Sequence, residues 1–306
     1  MTPRKRKLLA AGGALVLVSL LAFAGVRWQS AVQWRVEFLS SKLTGSLPNI
    51  GWSELGYMIL PDGLRTRLYA GNPWVKEKDR GEGPCPVLWD TPLGQFWGRA
   101  DNDKDLVYVL RMRVQDAIYL RGPLAIRFGD VVLDGGSHLG TFTRFALQQG
   151  AQRVVAFDPD STNNICFKRT FRKEIAEGRV VLVEEALWDK PGVVQFAEDP
   201  SGLGSAVKQT SPDTRDQTYM KQAPATTIDE SVQRLHLDQV SFIKMHVEGA
   251  ERQALQGARQ TIARFHPRLM VAIHHHGDDP VAVPQDIAGL SPDYRVAKHY
   301  PQVYGY

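Results

Sequence analysis

The sequence predicts a doubly wound, mostly parallel α/β sheet, and three observations carry that prediction. Short apolar runs alternate with segments of helical periodicity from residue 131 onward. The first run, Val131-Val132-Leu133, leads straight into Asp134-Gly135-Gly136-Ser137-His138-Leu139-Gly140, and helical spacing resumes at Thr141. A second run, Arg153 to Phe157, ends in Asp158. Strand, glycine turn, helix, and an acid at the end of the next strand form a nucleoside-cofactor arrangement. Glycines let a ligand approach the backbone, and a helix N-terminus offers free N–H groups. The acid, about 20 residues past the glycines, is placed for ribose hydroxyls.

Ahead of this core, Leu8 to Val26 is apolar or small and carries no charge. Nineteen residues at helical rise come close to spanning a bilayer. Arg4-Lys5-Arg6-Lys7 before the run and Arg27-Trp28 after it are membrane flanks. Ala22-Phe23-Ala24 resembles a signal-peptidase site, but the run exceeds the usual signal-peptide core. An uncleaved single-pass membrane anchor over residues 1–28 is therefore expected. Arg27, Arg35 and Lys42 follow the run, so the charge bias is slight. It favours the N-terminus in the cytoplasm, with the globular part then outside, and does not fix the orientation.

Residues 29–105 read as a juxtamembrane and accessory or lid region. Residues 44–105 are rich in Gly, Pro, Trp and Asp, and Val87 to Asp90 and Leu93 to Trp97 suggest short strands and turns. The main domain is expected over 106–306, opening with Leu106 to Leu110, a strand or the start of a helix. After Asp158 come a helix over about 161–176, a strand at 180–183 and one hairpin arm at 193–197. A loop over 199–217 is suited to close over a site. Thr227 or Asp229 caps the next helix. A strand at 240–245, a helix over 251–264 and a strand at 269–273 follow, and then His274-His275-His276. Ligands of such sheets bind at the carboxyl ends of the strands. Asp134, Asp158, Glu185, His246 and His275 all fall at those ends.

Composition narrows the function. The net charge is +4 over 306 residues, and part of it sits in the N-terminal basic cluster. No general nucleic-acid surface is implied. Cys85 and Cys166 supply neither a disulfide framework nor a zinc site. A pair between them stays open, and Cys166 reads first as a small buried residue on a helix.

Four segments together resemble the FkbM-type methyltransferases: Asp134 to Gly140, Phe157-Asp158-Pro159, Thr227-Ile228-Asp229, and Lys244-Met245-His246-Val247-Glu248-Gly249-Ala250-Glu251. The resemblance runs from about residue 85 to the end, and the Lys-x-x-Val-Glu-Gly-Ala-Glu pattern is its most specific part. It implies a class I, Rossmann-like fold that binds S-adenosyl-L-methionine (SAM). The acceptor it implies is a hydroxyl of a sugar, lipid or polyketide-like product. Three positions depart from the family pattern: His138 stands for Asn, Asp158 for Glu and His246 for Asp. His275, Asp279 and Pro284 match a family variant. His299-Tyr300-Pro301 resembles the closing hairpin, whose final strand is expected to be short or missing.

The candidate cofactor residues are Asp134, Gly135, Gly136, Ser137, His138, Gly140, Asp158, Lys244 and Glu185, the last for the adenine amino group. Their plain alternatives are turn-capping acids, a solvated Glu185 and a Lys244 that pairs with a neighbouring acid. The candidate catalytic residues are His246, His275 and Glu248, because a hydroxyl acceptor must lose its proton and a neutral His suits that task. Strand-end or loop histidines and a first-turn acid are the plain readings there. His246, His274 or His276 with Glu248 could ligate a metal by residue type, but no metal spacing is present and none is expected. Two rival functions are a catalytically silent methyltransferase-like binding module and an NAD-dependent oxidoreductase. The sequence does not set the oligomeric state.

Overall fold

The computed structural model describes residues 75–100, 122–197, 206–207, 220–299 and 301–306, a helical run at 106–110, and single positions at 36, 39, 40, 43, 60, 112 and 120. The chain divides after Gly71, and every element below lies in Asn72–Tyr306. The expected membrane anchor at Leu8–Val26 lies outside the described residues. Among the described residues no helix is long and apolar enough to cross a membrane.

Three short strands come first: β1 (Lys76–Arg80), β2 (Val87–Thr91) and β3 (Gly94–Gly98), an antiparallel meander. The core then alternates: β4 (Val131–Gly135), α1 (Thr141–Gln148), β5 (Arg153–Phe157), α2 (Ser161–Thr170), α3 (Arg172–Ala176) and β6 (Val180–Val183). Next come β7 (Ala186–Leu187), β8 (Gly192–Ala197), β9 (Ala206–Val207) and β10 (Met220–Thr226), which form a second, four-stranded sheet. The chain closes with α4 (Ile228–Arg234), β11 (Phe242–Met245), α5 (Glu251–Gln256), α6 (Arg259–Phe265), β12 (Arg268–Ala272), α7 (Asp279–Leu290), β13 (Val296–His299) and β14 (Gln302–Gly305).

The central sheet has the order β13-β14-β12-β11-β4-β5-β6. Its strands from β12 to β6 are parallel, and β14 pairs antiparallel with β12 and with β13. This is a class I methyltransferase-like α/β fold with a mixed sheet. The chain starts at β4 and moves outward through β5 and β6, then returns to the other side of β4 as β11. The β4–β11 seam is therefore the topological switch point, where sheets of this kind open a crevice. The unbroken apolar runs follow from burial on both faces. Leu133, Val155, Ile243 and Val271 belong to one core cluster, while Val132, Val154, Phe242 and Met270 belong to the other. Each such buried Val, Leu, Ile or Phe contributes on the order of 1.5–3 kcal/mol.

Two open readings are decided and other expectations are corrected. Leu106 to Leu110, read as a strand or the start of a helix, is helical. The helix expected over 251–264 is two, because the Gly257 carbonyl turns out of the helix to accept from Asp229 N at 2.9 Å. The helix over 161–176 is likewise interrupted, at Phe171. Thr227 is the cap, its side chain accepting from Glu230 N at 2.9 Å. The final strand, expected to be short or missing, is present as β14, with Val303 and Tyr304 fully buried. Of the expected closing loop over 199–217, only β9 falls among the described residues, paired with β8.

Cys85 and Cys166 form a disulfide with a Cα–Cα distance of 5.4 Å, so Cys166 is more than a small core residue. The bond joins the meander to α2. Arg169 stacks 3.3 Å above the Trp97 ring centre, and Trp97 N donates to Thr170 Oγ1 at 2.9 Å along the same contact.

Candidate active site

The glycine turn after β4 is held from beneath. Asp134 is fully buried and accepts from Thr143 Oγ1 at 2.7 Å and from Lys244 Nζ at 3.0 Å. Lys244 Nζ also donates to Gly135 O at 2.9 Å and to Gly136 O at 2.8 Å. An ammonium has three protons, and these partners take all three. Asp134 and Lys244 thus hold the turn's backbone, and the Lys244 ammonium spends all three protons on it. The pairing follows from parallel register, which sets Lys244 beside Asp134.

The glycines answer to packing as well. Gly136 has φ +73°, and a Cβ there would lie 1.8 Å from His246 O. Its smallness is needed where the turn crosses the end of β11. Gly140 has φ +83°, and a Cβ there would lie 2.2 Å from the Phe171 ring. The first amides of the turn are already spoken for: Gly136 N and Ser137 N donate to Phe157 O at 2.9 and 3.0 Å. The buried Ser137 hydroxyl makes no hydrogen bond.

Above the turn lies a cleft enclosing about 860 Å³ of empty space, part of it open to solvent. Gly136, Ser137, His138, Asp158, Glu185, Lys244, His246 and Glu248 all border it. Sequence reasoning missed Tyr108 and Val109 on the helical run, and Met112, Phe142, Asn163 and Phe196. No local pattern marks these residues, since they reach the cleft only through tertiary packing.

Asp158 sits at the end of β5 and accepts from His138 N at 2.7 Å and from Asp160 N at 2.9 Å. Burial pushes its carboxyl up to about 7, against the pull of those two amides. His138 adopts φ +51°. Both of its ring nitrogens are buried without a hydrogen-bond partner. Burial, then the Arg99 and Lys244 charges, lower it to about 3, so the imidazole is neutral. Glu185 borders the cleft with its carboxylate bound by Arg234 of α4, which leaves it a paired charge in place of a solvated one.

The expected catalytic residues converge on one corner. His246 follows β11, and His274 and His275 follow β12, the next strand. The His246 ring centre lies 5.0 Å from those of His274 and His275, and the latter two lie 4.2 Å apart. Glu248, at φ +53°, sits between them: Oε1 lies 3.2 Å from His246 Nε2 and Oε2 lies 3.3 Å from His275 Nε2. Glu251 is a buried clamp and more than a first-turn acid. It accepts from Val247 N at 2.9 Å and Gly249 N at 3.0 Å, and its Oε1 lies 2.9 Å from His275 Nδ1. Asp279 fixes the other loop, accepting from His275 N at 3.1 Å and His276 N at 2.6 Å. His276 turns away to Gly249 O at 3.0 Å.

These neighbours separate the histidines electrically. Burial lowers His246 and outweighs the pull of Glu248. Burial, then His246 and His275, lower His274 to about 4. Burial also pulls on His275, but Glu248 and Glu251 overcome it and raise the ring to about 10. Burial works to raise Glu248, yet His246 and His275 hold it well below the usual carboxylate range. Of the two histidines expected as a base, His246 borders the cleft, whereas His275 lies behind it between the Glu248 and Glu251 carboxylates.

A family model described as the methyltransferase FkbM domain matches residues 134–291. Among solved structures, a methyltransferase FkbM from Methylobacillus flagellatus KT is 19% identical with a TM-score of 0.45, over 65% of this chain and 54% of that one. The chain thus spans about half the length of that protein. An rRNA methylase from Streptococcus thermophilus is 12% identical with a TM-score of 0.36, over 59% of this chain and 86% of that one. A precorrin-6y C5,15-methyltransferase from Geobacter metallireducens GS-15 is 16% identical with a TM-score of 0.31, over 60% of this chain and 82% of that one. No curated protein sequence matches the chain. The family match begins at the buried acid under the glycine turn, ends just past α7 and takes in more than half of the chain. With it, the chain belongs to the FkbM methyltransferase family.

Proposed function

We propose that the cleft binds SAM and that the protein transfers its methyl group to a hydroxyl oxygen of a sugar, lipid or natural-product acceptor. The observation that supports this most is the strand-end pair above the turn. Asp158 presents a buried carboxylate to the cleft, and His138 presents ring nitrogens that nothing in the protein satisfies. Ribose hydroxyls suit the first and polar groups of the methionine part suit the second. An unsatisfied buried polar group costs about 1–3 kcal/mol, so a ligand that satisfies it gains correspondingly.

In the transfer, the acceptor oxygen attacks the methyl carbon, the carbon–sulfur bond breaks, and its electron pair stays on sulfur. The sulfonium charge disappears, and the acceptor's proton must leave. The cleft's task is alignment of oxygen, carbon and sulfur. The corner formed by His246 and Glu248 lies at the β4–β11 seam beside the turn, where the departing proton has polar groups to meet.

Calorimetry with SAM, its demethylated product and NAD tests the cofactor. SAM and its product should bind and NAD should not; binding of NAD alone would assign an oxidoreductase instead. Asp158→Ala should weaken SAM by about 1.5–3 kcal/mol. Labelled SAM with hydroxyl acceptors then tests transfer, and a cleft that binds SAM yet moves no methyl to any of them would mark a silent binding module.

We further propose that residues 1–28 anchor the protein in a membrane with the catalytic unit outside the cytoplasm. The uncharged run, its basic flank and the Cys85–Cys166 disulfide support this, since such bonds persist in oxidising compartments. N-terminal sequencing of the expressed protein should begin before Leu8; a chain starting after Ala24 would show a cleaved signal.

A further inference from the structure

We propose that His246, His274 and His275 bind a divalent transition-metal ion of the zinc type beside the methyl-acceptor position. This rests on the methyltransferase reading above and adds a resident Lewis acid to it.

The three side chains come from two adjacent parallel strands, and each offers a ring nitrogen such that all three lie within 4.8 Å of one another. A zinc ion with nitrogen bonds of about 2.0–2.1 Å needs ligand atoms about 3.3 Å apart. The ring nitrogens close the set by approaching one another by up to about 1.5 Å. Three imidazoles with one position left open are a catalytic zinc ligand set. Nitrogen ligands also select against magnesium and calcium, which take oxygen.

The surroundings orient the rings as metal ligands are oriented. His274 Nδ1 donates to Pro301 O at 3.4 Å, which leaves Nε2 free to bind. His275 Nδ1 faces the buried Glu251 carboxylate at 2.9 Å, and Glu251 is itself fixed by two backbone amides. A carboxylate or carbonyl behind each imidazole is the usual outer support of a metal-bound histidine. Neither ring nitrogen of His275 makes a hydrogen bond of proper geometry, although both are buried. Glu248 lies within 3.3 Å of two of the rings and on the cleft side. It stands beside the set as the proton acceptor. The family pattern at the β11 end has Asp, and His246 in its place supplies the third imidazole of the cluster.

The chemistry closes without a further reactant. The acceptor hydroxyl occupies the open position and is acidified by the cation. Its proton passes to Glu248 and on to solvent, the oxygen takes the methyl carbon, and the carbon–sulfur electron pair remains on sulfur.

The test uses the untagged full-length chain, stripped with chelator and titrated with zinc chloride by calorimetry, with metal content read by mass spectrometry. One equivalent should bind per chain. His246→Ala and His274→Gln should each weaken zinc at least tenfold, whereas His276→Ala should keep it, because His276 points to Gly249 O. Thermal melts of each variant show whether it is folded. SAM affinity is measured on the stripped protein in parallel and should not change with zinc. If SAM binds but zinc does not bind stoichiometrically, the metal proposal is overturned and the cofactor reading stands. If zinc binds and the folded His276→Ala variant loses it as fully as His274→Gln, the three-histidine assignment is overturned. If SAM fails to bind while zinc binds with this pattern, the functional reading falls and the metal site stands.

Discussion

Lys244→Met separates a turn-holding lysine from a ligand-binding one. The substitution keeps the stem's volume and removes the ammonium, leaving Asp134 fully buried with Thr143 as its hydrogen-bond partner. Breaking one side of a buried ion pair typically costs about 3–5 kcal/mol. A second route gives a ceiling. A buried aspartate can escape by taking a proton, and for an acid of ordinary pKa near 3.9 that costs about 4 kcal/mol at pH 7. The same route costs only about 1.5 kcal/mol at pH 5. Gly136 O loses its donor from Lys244, whereas Gly135 O keeps the His246 amide. The expected loss is therefore about 4–5 kcal/mol at pH 7, shrinking by roughly half at pH 5. The sign follows from linkage: the variant's folded state holds a proton that its unfolded state releases, so its stability falls as pH rises. Urea melts at both pH values measure this, and Asp134→Asn on the Lys244→Met background should recover part of the loss by removing the stranded charge. A Lys244→Met protein with wild-type melts at both pH values and lost SAM affinity would refute the reasoning and return Lys244 to the cofactor.

Four further outcomes are expected. Reducing Cys85–Cys166 releases a loop with 81 residues of separation, for which chain entropy gives up to about 4.5 kcal/mol; equal urea midpoints with and without reductant would show that the bond constrains nothing. Gly136→Ala should lower thermal stability in the absence of any ligand, because its Cβ meets the His246 carbonyl; a variant as stable as the parent but unable to bind SAM would mean that the glycine serves the ligand. Burial raises Asp158 to about 7, so its ionised form, the one that accepts from ribose, is lost as pH falls through that value. SAM affinity should drop by up to tenfold per pH unit below it. A flat affinity from about pH 5.5 to 8.5 would remove Asp158 from the ribose. The same raised value means that the ligand-free fold gives up Asp158's favourable protonation as pH rises from about 4 to 7, a slope that Asp158→Asn should abolish.

The sequence by itself determined the strands β4, β5, β6, β11 and β12, the turn between β4 and α1, and which end of the sheet carries the cleft. Those features are local: a five-residue apolar strand buried on both faces, a positive-φ glycine and an acid at a strand end each leave a mark within a few neighbours. Tertiary structure decided what the marked residues do. Asp134 and Lys244 stand 110 positions apart and meet only because β11 returns beside β4 in parallel register, which makes them each other's counter-ion. Gly136 looks like a ligand glycine until the His246 carbonyl is seen 1.8 Å from where its Cβ would be. Cys85 finds Cys166 across 81 residues because the meander docks on α2. His246 and the His274-His275 pair read as separate histidines along the chain, yet adjacent parallel strands set their rings 5.0 Å apart with one carboxylate between them. The crossover helices carry no record of these pairings, because a helix needs only its own periodic apolar face to form. Which strand ends it brings together depends on how the whole sheet packs.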